Sequence, residues 1–327
     1  MGNSVTPLAA KANLRLHGRL SFAQDGALGL SWSYSGFSFC FDGDGLSLIC
    51  RPYAGEQPTH LAVEIDGTVY KAAFSETDTA ATFFCKNGPH TVTVRRASVQ
   101  NGSPTVWISA VSLNGVFTEP PAEKAMRLEF IGDSITCGYG ILGAPGAPYR
   151  TSEEDAIINY AAQVARAFDA EARFLSVSGQ GIVRNCAGEI GVRIPAFFHY
   201  LRRNSKTEDW QFDDGFMPDA VIINAGTNDV GGGVSEADFA EGAYQFILDV
   251  RAHYPRAKIV WFYGMMNSKM IAPLREATER ARKIDEQVYF LPTTRIGAGE
   301  VGANGHPGIL GHRRAAKELI AFLKTVL

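Results

Sequence analysis

The chain has 327 residues, of which 46% are hydrophobic and 20% charged, and its formal net charge is -3 at pH 7. This length exceeds the usual size of one hydrophobic core, so two domains are expected, and the composition is typical of a soluble globular protein. Acidic and basic residues are interspersed without a basic stripe, which argues against nucleic acid and against an anionic membrane surface as partners.

The N-terminus lacks the basic region and continuous apolar run of a secretory signal, and no segment approaches about 18 uninterrupted apolar residues. A cytoplasmic protein with no membrane association is therefore expected, unless a leader has been removed. The five cysteines are widely spread and show no paired metal-ligand spacing, which favours reduced thiols over disulfides or zinc.

Short alternating or aromatic runs fill residues 14–118. They predict strands at Leu28–Trp32, Phe37–Phe41, Leu46–Cys50, Leu61–Ile65, Thr82–Cys85, Thr91–Arg95 and Val106–Leu113. Hairpin turns are predicted at Asp42-Gly43-Asp44-Gly45, Asp66-Gly67 and Asn87-Gly88, because Asn, Asp and Gly tolerate positive φ. The pattern predicts an N-terminal β-sandwich domain, jelly-roll-like, over residues 1–122.

Three aromatic residues of this domain, Trp32, Tyr34 and Tyr53, could stack on sugars. Aromatic residues on alternating strands are more often part of the core, so a packing role is the preferred interpretation. Pro120-Pro121 then interrupts regular structure and marks the linker to a second domain.

Strands alternate with helices in the second domain, residues 123–327, which is the pattern of an α/β fold with a parallel sheet. Strands are predicted at Arg127–Ile131, Ala172–Ser176, Ala220–Asn224, Lys258–Tyr263 and Val288–Leu291. Helices are predicted at Asn159–Phe168, Ile194–Arg203, Ser235–Tyr254, Pro273–Gln287 and Gly311–Val326.

The segment Phe130 to Gly138 places a glycine-flanked serine, Ser134, directly after a predicted strand. Open α/β sheets hold their chemistry at the carboxyl ends of their strands. Gly226-Thr227-Asn228-Asp229 follows another apolar strand, and His306-Pro307 precedes the last helix. The three motifs therefore offer a nucleophile, an amide donor and a base. The base matters because a serine hydroxyl needs one within hydrogen-bond reach to attack a carbonyl.

With these motifs the chain resembles the SGNH (GDSL-type) hydrolases, and more closely the acetyl esterases of carbohydrate esterase family two. The N-terminal domain is similar to the β-sandwich of that family at Gly18-Arg19, Trp32 to Phe41, Ile65-Asp66-Gly67 and His90. The resemblance therefore covers nearly the whole chain. It implies an SGNH-type parallel-sheet domain preceded by a β-sandwich, with Ser134 as nucleophile and His306 as base.

The third position of the triad departs from the commonest pattern of the family. Many SGNH hydrolases place an aspartate two or three residues before the histidine, whereas Ala303-Asn304-Gly305 precedes His306 here. An imidazole still needs an acceptor that fixes its tautomer. We expect the backbone carbonyl or the side-chain oxygen of Asn304 to orient His306, and Glu300 to be a solvated loop residue.

The resemblance also implies an oxyanion hole formed by the backbone N–H of Ser134, a backbone N–H of Ser178-Gly179-Gln180-Gly181 and the side-chain amide of Asn228. Gly179 is the preferred glycine and Gly181 the fallback. Supporting roles are expected for three residues. Asp133 would orient the turn of Ser134, Asp229 would brace the loop of Asn228, and Arg184 would support the glycine loop or touch substrate.

No cofactor is expected, because Gly231-Gly232-Gly233 lacks dinucleotide-loop spacing and no phosphate-loop lysine follows a glycine cluster. No metal is expected either, on the argument that no histidine, cysteine or acidic pair has ligand spacing on a plausible helix. The partner is then a small-molecule or oligosaccharide acetyl ester, and the oligomeric state stays open.

The resemblance predicts a serine esterase that deacetylates hemicellulose-type oligosaccharides, such as xylo- or mannooligosaccharides, through an acetyl-enzyme intermediate. The expected cytoplasmic location favours short imported substrates over polymers. Two alternatives stay open: a GDSL-type lipase or thioesterase on longer acyl chains, and a catalytically weak carbohydrate-binding protein.

Overall fold

The computed structural model describes residues 3–99, 104–203, 205 and 208–327. The chain folds into two compact units. The first comprises Met1–Glu123 with Leu201–Ser205, and the second comprises Lys124–Tyr200 with Lys206–Leu327. The first boundary falls just after the proline pair. The predicted domain boundary after residue 122 does not include the return of Leu201–Ser205 to the first unit.

Nine antiparallel strands form one continuous sheet in the first unit. They are β1 (Asn3–Val5), β2 (Arg15–His17), β3 (Leu20–Phe22), β4 (Leu28–Leu30), β5 (Gly36–Cys50), β6 (Thr59–Ile65), β7 (Thr68–Phe74), β8 (Ala80–Arg96) and β9 (Val106–Phe117). The main strand order is β3-β4-β9-β5-β8-β6-β7, while β1 pairs with β9 and β2 pairs with β5. A hydrophobic core, built mainly of buried Phe, Leu and Val side chains, packs against this curled sheet.

Two of the three predicted hairpin turns are wrong. Asp42-Gly43-Asp44-Gly45 lies within β5 and Asn87-Gly88 lies within β8, so each strand continues through its glycine-containing segment. The register of β5 against both neighbours shifts between Gly43 and Gly45. A Cβ on Gly43 would lie 2.2 Å from the Asn114 oxygen, so glycine here permits a close approach of backbones within a bulge rather than a turn.

The third predicted turn, Asp66-Gly67, is confirmed. Ile65 pairs with Thr68 across it, and Asp66 and Gly67 have φ values of 49° and 84°. The Asp66 carboxylate accepts from the Thr91 N–H at 2.9 Å and lies 2.5 Å from His90 Nδ1. Two of the segments that carry the family resemblance are thus joined by one ion pair.

The aromatic side chains of Trp32, Tyr34 and Tyr53 are 1%, 6% and 4% exposed, which confirms their packing role. The Trp32 indole N–H donates to the Leu201 carbonyl at 2.8 Å, and the Arg203 N–H donates to Ser31 Oγ at 2.9 Å. These hydrogen bonds hold the returning segment within the first unit.

A five-stranded parallel sheet, with the order β11-β10-β12-β13-β14, forms the second unit. Its strands are β10 (Arg127–Gly132), β11 (Glu171–Ser176), β12 (Ala220–Asn224), β13 (Lys258–Tyr263) and β14 (Val288–Pro292). The helices are α1 (Ser134–Cys137), α2 (Tyr160–Ala167), α3 (Ile194–Phe197), α4 (Thr227–Gly231), α5 (Glu236–His253), α6 (Ile271–Arg282) and α7 (Ile309–Val326). Helix α2 packs with α7, and α5 packs with α6.

The register of the sheet brings three strand ends together. Gly132, the last residue of β10, lies opposite Ser176 of β11 on one side and Asn224 of β12 on the other. The loops that follow these strands must therefore begin side by side, at the carboxyl edge where ligands bind in open α/β sheets.

The predicted helix Ile194–Arg203 is wrong beyond its first turn, because α3 ends at Phe197. Tyr200 instead forms a bridge with Asp209, and the Arg203 N–H is bound to Ser31. Tertiary hydrogen bonds override the helical pattern here. None of the helices in the described parts of the chain is long and apolar enough to span a membrane.

Substituting Gly36 by alanine is expected to destabilise the first unit. A Cβ at Gly36 would lie 1.8 Å from the Val94 oxygen, and backbone cannot yield as a flexible side chain does. We expect the free energy of unfolding to fall by at least about 2 kcal/mol in urea denaturation followed by circular dichroism.

The matched control is Gly297→Ala, because a Cβ at Gly297 meets no atom within 4 Å and its φ is -85°. That change should stay within about 0.5 kcal/mol. Equal effects of the two substitutions would contradict the close-approach explanation.

Candidate active site

Ser134 lies at the start of α1, immediately after β10. Asp133 caps this helix, because its Oδ1 accepts a hydrogen bond from the Ile135 N–H at 3.0 Å. Gly132 is required by the tight turn, since a Cβ there would lie 2.3 Å from Thr136 Oγ1 and 2.7 Å from the Asn224 oxygen. As the first helical residue, Ser134 has an N–H with no acceptor inside its own helix, so this N–H is available to a ligand.

Ser134 and His306 are in hydrogen-bond contact. Ser134 Oγ lies 2.8 Å from His306 Nε2, and His306 Nδ1 lies 3.1 Å from the backbone oxygen of Asn304. When Nδ1–H donates to this carbonyl, the lone pair stays on Nε2 and faces the hydroxyl, which is the tautomer of a general base. The backbone oxygen and the side-chain oxygen of Asn304 were both predicted as acceptors, and the backbone oxygen is the one that contacts His306. The side-chain amide nitrogen of Asn304 lies 3.4 Å from Tyr139 Oη.

The backbone of the histidine loop explains how Asn304 presents its carbonyl. Asn304 has φ 49° and ψ 36°, in the left-handed region that asparagine tolerates better than most residues. The loop is closed on both sides of this residue, by a bond from the Gly302 N–H to the His306 oxygen at 2.7 Å and one from the His306 N–H to the Ala303 oxygen at 3.1 Å.

An aromatic pair, Tyr139 and Tyr149, supports His306 and was not among the predicted site residues. The Tyr139 ring lies 4.4 Å from the His306 ring, and Tyr149 stacks on Tyr139 at 3.9 Å. The Tyr149 hydroxyl donates to the carboxylate of Glu154, which is fully buried. A sequence signal existed only for Tyr139, which lies five residues after the nucleophile.

Burial lowers the pKa of His306, and the hydrogen bond to the Asn304 carbonyl opposes this effect in part. A histidine whose pKa lies below its ordinary value is neutral near pH 7, as a general base must be. His312, which is fully buried, accepts from the Tyr160 N–H at 3.1 Å, and burial lowers its pKa to about 3. His312 is therefore a structural residue.

The predicted oxyanion residues converge on the side chain of Asn228. Its Nδ2 donates to Asp133 Oδ2 at 3.1 Å and to the Gln180 carbonyl at 2.9 Å. The amide therefore joins the residue before Ser134 to the residue after Gly179. Both of its hydrogens have protein acceptors, so donation to a substrate oxygen requires one of these two bonds to lengthen.

Gly179 has φ 79°, which only glycine adopts without strain, and its carbonyl accepts from the Cys186 N–H at 2.9 Å. Gly181 has a different reason to be glycine. A Cβ on it would lie 2.5 Å from Asp229 Oδ2 and 2.1 Å from the Arg184 oxygen. Close packing therefore accounts for Gly181 and backbone conformation for Gly179, and the role of Gly179 as the preferred oxyanion donor stays a prediction.

Asp229 braces a different loop from the one expected. Its carboxylate accepts from the N–H groups of Ile182, Val183 and Arg184 at 2.9, 2.7 and 3.2 Å, so it supports the loop after β11 rather than its own. Burial raises its pKa, against the effect of these N–H donors. The exposed Arg184 side chain donates to the Gly188 carbonyl at 3.1 Å, which supports the loop-bracing alternative for that residue.

Asp133 is completely buried, and burial raises the pKa of its carboxyl to about 7, although the Ile135 N–H opposes the shift. It orients backbone as expected, and it also holds the Asn228 amide, which was not expected. Glu300, expected to be solvated, is instead paired with Arg314, whose Nε lies 2.7 Å from Glu300 Oε1. This acid is therefore engaged with α7.

One argument against metal binding is wrong. Asp249 and His253 lie four residues apart on α5, and the donor atoms of His199, Asp249 and His253 lie within 4.8 Å of one another. A carboxylate and a histidine one turn apart lie on the same face of a helix, and the sequence contains this spacing at Asp249 and His253.

Two family models match the chain. The model of the GDSL-like Lipase/Acylhydrolase family covers residues 130–314, more than half of the chain. The chain belongs to this family. The carbohydrate esterase 2 N-terminal model covers residues 16–121. The predicted recognition and fold are confirmed: a β-sandwich domain precedes an SGNH-type domain, and the predicted class of carboxylic ester hydrolase is confirmed with them.

Named relatives are similar along nearly the whole chain. The cellulase/esterase CelE of Acetivibrio thermocellus is 27% identical over 340 residues, which cover 99% of this chain but 41% of CelE. The chain thus spans less than half of that relative. An acetylxylan esterase / glucomannan deacetylase of Cellvibrio japonicus is 23% identical over 336 residues, which cover 100% of this chain and 92% of the relative.

A solved structure is also similar. The family two carbohydrate esterase from Clostridium thermocellum, in complex with cellohexaose, has a TM-score of 0.87 and 25% identity, and the match covers 95% of this chain and 98% of that one.

Substitutions of Asn304 test the role of its carbonyl. Because a backbone oxygen is the acceptor, Asn304→Asp and Asn304→Gly should keep kcat on 4-nitrophenyl acetate within about threefold, since both residues tolerate the left-handed region. Asn304→Val should lower kcat at least about tenfold, because a β-branched residue is strained there. A large loss in Asn304→Gly would contradict the carbonyl assignment.

The pH profile tests the lowered pKa of His306. Activity requires the neutral imidazole, so kcat/KM should rise with pH through the pKa of His306 in the free enzyme. We expect this acidic limb below the ordinary histidine value of about 6.5, measured on 4-nitrophenyl acetate. A limb at or above pH 7 would contradict the assignment and would point to Asp133, whose pKa is about 7.

Proposed function

We propose that the protein is a serine esterase that removes O-linked acetyl groups from carbohydrates. The observation that carries this proposal is the contact of 2.8 Å between Ser134 Oγ and His306 Nε2, with the other ring nitrogen on a backbone carbonyl. This arrangement supplies a nucleophile, its base and an orienting acceptor without any carboxylate.

In the proposed first half-reaction, Ser134 Oγ bonds to the acetyl carbon while its proton moves to His306 Nε2. The carbonyl oxygen becomes an oxyanion, which the N–H groups of Ser134 and Gly179 and the Asn228 amide would stabilise. One such donor is worth about 3 kcal/mol of barrier. The sugar oxygen then leaves with the proton from His306, and the acetyl group stays on Ser134.

In the second half-reaction, water gives a proton to His306 and its oxygen bonds to the acetyl carbon. The bond to Ser134 Oγ then breaks, acetate leaves, and Oγ recovers the proton from the imidazolium. The Asn304 carbonyl holds the imidazole in one orientation and stabilises its protonated form in both half-reactions.

We propose acetylated xylo- or mannooligosaccharides as substrates. The relative from Cellvibrio japonicus, named as an acetylxylan esterase and glucomannan deacetylase, supports this class, and so does the cellohexaose bound to the esterase from Clostridium thermocellum. The preference for short oligosaccharides and the cytoplasmic location stay predictions.

Replacing the nucleophile tests the proposal. Ser134→Ala should lower acetate release from acetylated xylan and mannan oligosaccharides by about 10⁴-fold or more, because nucleophile and base act as one unit. The matched control is Ser268→Ala, at an exposed position, which should leave the rate unchanged. Acetate release is measured beside hydrolysis of 4-nitrophenyl acetate and octanoate.

Three outcomes would contradict the proposal. Faster hydrolysis of octanoate than of acetate would favour a lipase or thioesterase. Binding of the oligosaccharides without turnover would favour a carbohydrate-binding protein. Acetate release that survives Ser134→Ala would exclude Ser134 as the nucleophile.

A further inference from the structure

A second cluster of reactive side chains lies in the catalytic unit and has no part in the proposed mechanism. His199 follows α3, while Asp249 and His253 lie one turn apart on α5. His199 Nε2 is 2.8 Å from Asp249 Oδ2, and His253 Nδ1 is 3.5 Å from Asp249 Oδ1. Two imidazoles thus converge on one carboxylate.

One histidine of this cluster has its Nδ1 atom next to a backbone carbonyl. His253 Nδ1 lies 2.9 Å from the backbone oxygen of Asp249. When Nδ1–H donates to this carbonyl, the lone pair stays on Nε2. Metal-binding histidines commonly donate their second ring nitrogen to a carbonyl or carboxylate in this way, which fixes the ring and its tautomer.

Two phenylalanine rings, Phe198 and Phe212, pack against both histidines of the cluster. The Phe212 ring lies 4.1 Å from His253 and 5.9 Å from His199, and the buried Phe198 ring lies 5.2 Å from His199 and 5.6 Å from His253. The three polar side chains remain 29–36% exposed. The ligands are therefore oriented by packing and still reachable from solvent.

Of the three side chains, Asp249 borders an open pocket of about 700 Å³. Phe246, Gln245 and Arg193 also line this pocket. A metal ion that binds three protein groups needs a fourth ligand, and a water molecule entering through this pocket can supply it.

We propose that His199, Asp249 and His253 form a binding site for a divalent transition-metal ion, with zinc as the best match. Two imidazoles and one carboxylate are a ligand set that zinc takes, whereas magnesium and calcium prefer oxygen ligands throughout. Zinc bonds to these atoms are about 2.0–2.2 Å long, so the ligand atoms of one site lie about 3–4 Å apart. The donor atoms of the three side chains lie within 4.8 Å of one another, so binding requires only a small shift of these partly exposed groups.

Such an ion would join α5 to the segment after α3, where the predicted helix ends early. A ligand that binds only the folded state stabilises it, so zinc should raise the melting temperature. The alternative is a simple hydrogen-bonded ion pair of His199 and His253 with Asp249. That arrangement needs no metal and predicts no effect of zinc.

The test is a titration of the metal-stripped full chain with Zn²⁺ alone by isothermal calorimetry, beside thermal melting with and without Zn²⁺. We expect saturable binding of one ion per chain and a higher melting temperature. Loss of groups that only orient ligands weakens metal binding about 10–100-fold, so His199→Gln, Asp249→Asn and His253→Gln should each weaken it about 100-fold or more.

The matched control is His90→Gln, because His90 pairs with a single carboxylate, Asp66, at 2.5 Å. This variant should bind zinc as the wild type does. Circular dichroism without metal shows whether each variant folds, and Co²⁺ absorption of the wild type reports histidine and oxygen ligation without any variant. No saturable binding by the wild type at micromolar zinc, or binding that survives all three substitutions, would overturn the proposal.

Discussion

The buried carboxylate of Asp133 is the group on which the catalytic edge depends. One oxygen caps the helix of Ser134, and the other accepts from Asn228, whose amide also reaches the loop after β11. Three loops from adjacent strands are thereby joined through the side chains of Asp133 and Asn228. The carboxyl group of Asp133 is fully buried, which raises its pKa, and a buried polar group needs well-placed hydrogen-bond donors.

Much of the site could be predicted because its signals are local. Ser134 was recognised from the Gly-Asp-Ser turn that follows a strand. Asn228 was recognised from the Asn-Asp pair that follows another strand. The parallel register then brings the strand ends together without further information. The sequence indicated Asn304 as the residue that accepts from His306, but it did not indicate which oxygen of Asn304 accepts. The choice of oxygen depends on the left-handed backbone conformation of Asn304 itself.

The errors share a physical cause, which is dependence on distant contacts. Gly43 in β5 belongs to a segment with the composition of a turn, yet it permits a close approach between strands that are neighbours only in the folded protein. Gly88 likewise lies within a strand, where it pairs with Gly43. The helix after Ile194 ends early, and Arg203 beyond it bonds to Ser31, 172 positions earlier in the chain. The bracing of the glycine loop by Asp229 likewise joins residues 45 to 47 positions apart.

The short return of Leu201–Ser205 to the first unit affects how the protein is made. The indole of Trp32 is bound to a carbonyl 169 positions later. When the first 123 residues have left the ribosome, that partner has not yet been synthesised. The N-terminal unit therefore completes its contacts only after Leu201–Ser205 has emerged as well. Folding during translation is therefore not strictly sequential. A cut near residue 123 that separates the two units also removes the contacts of Leu201–Ser205 from the first unit.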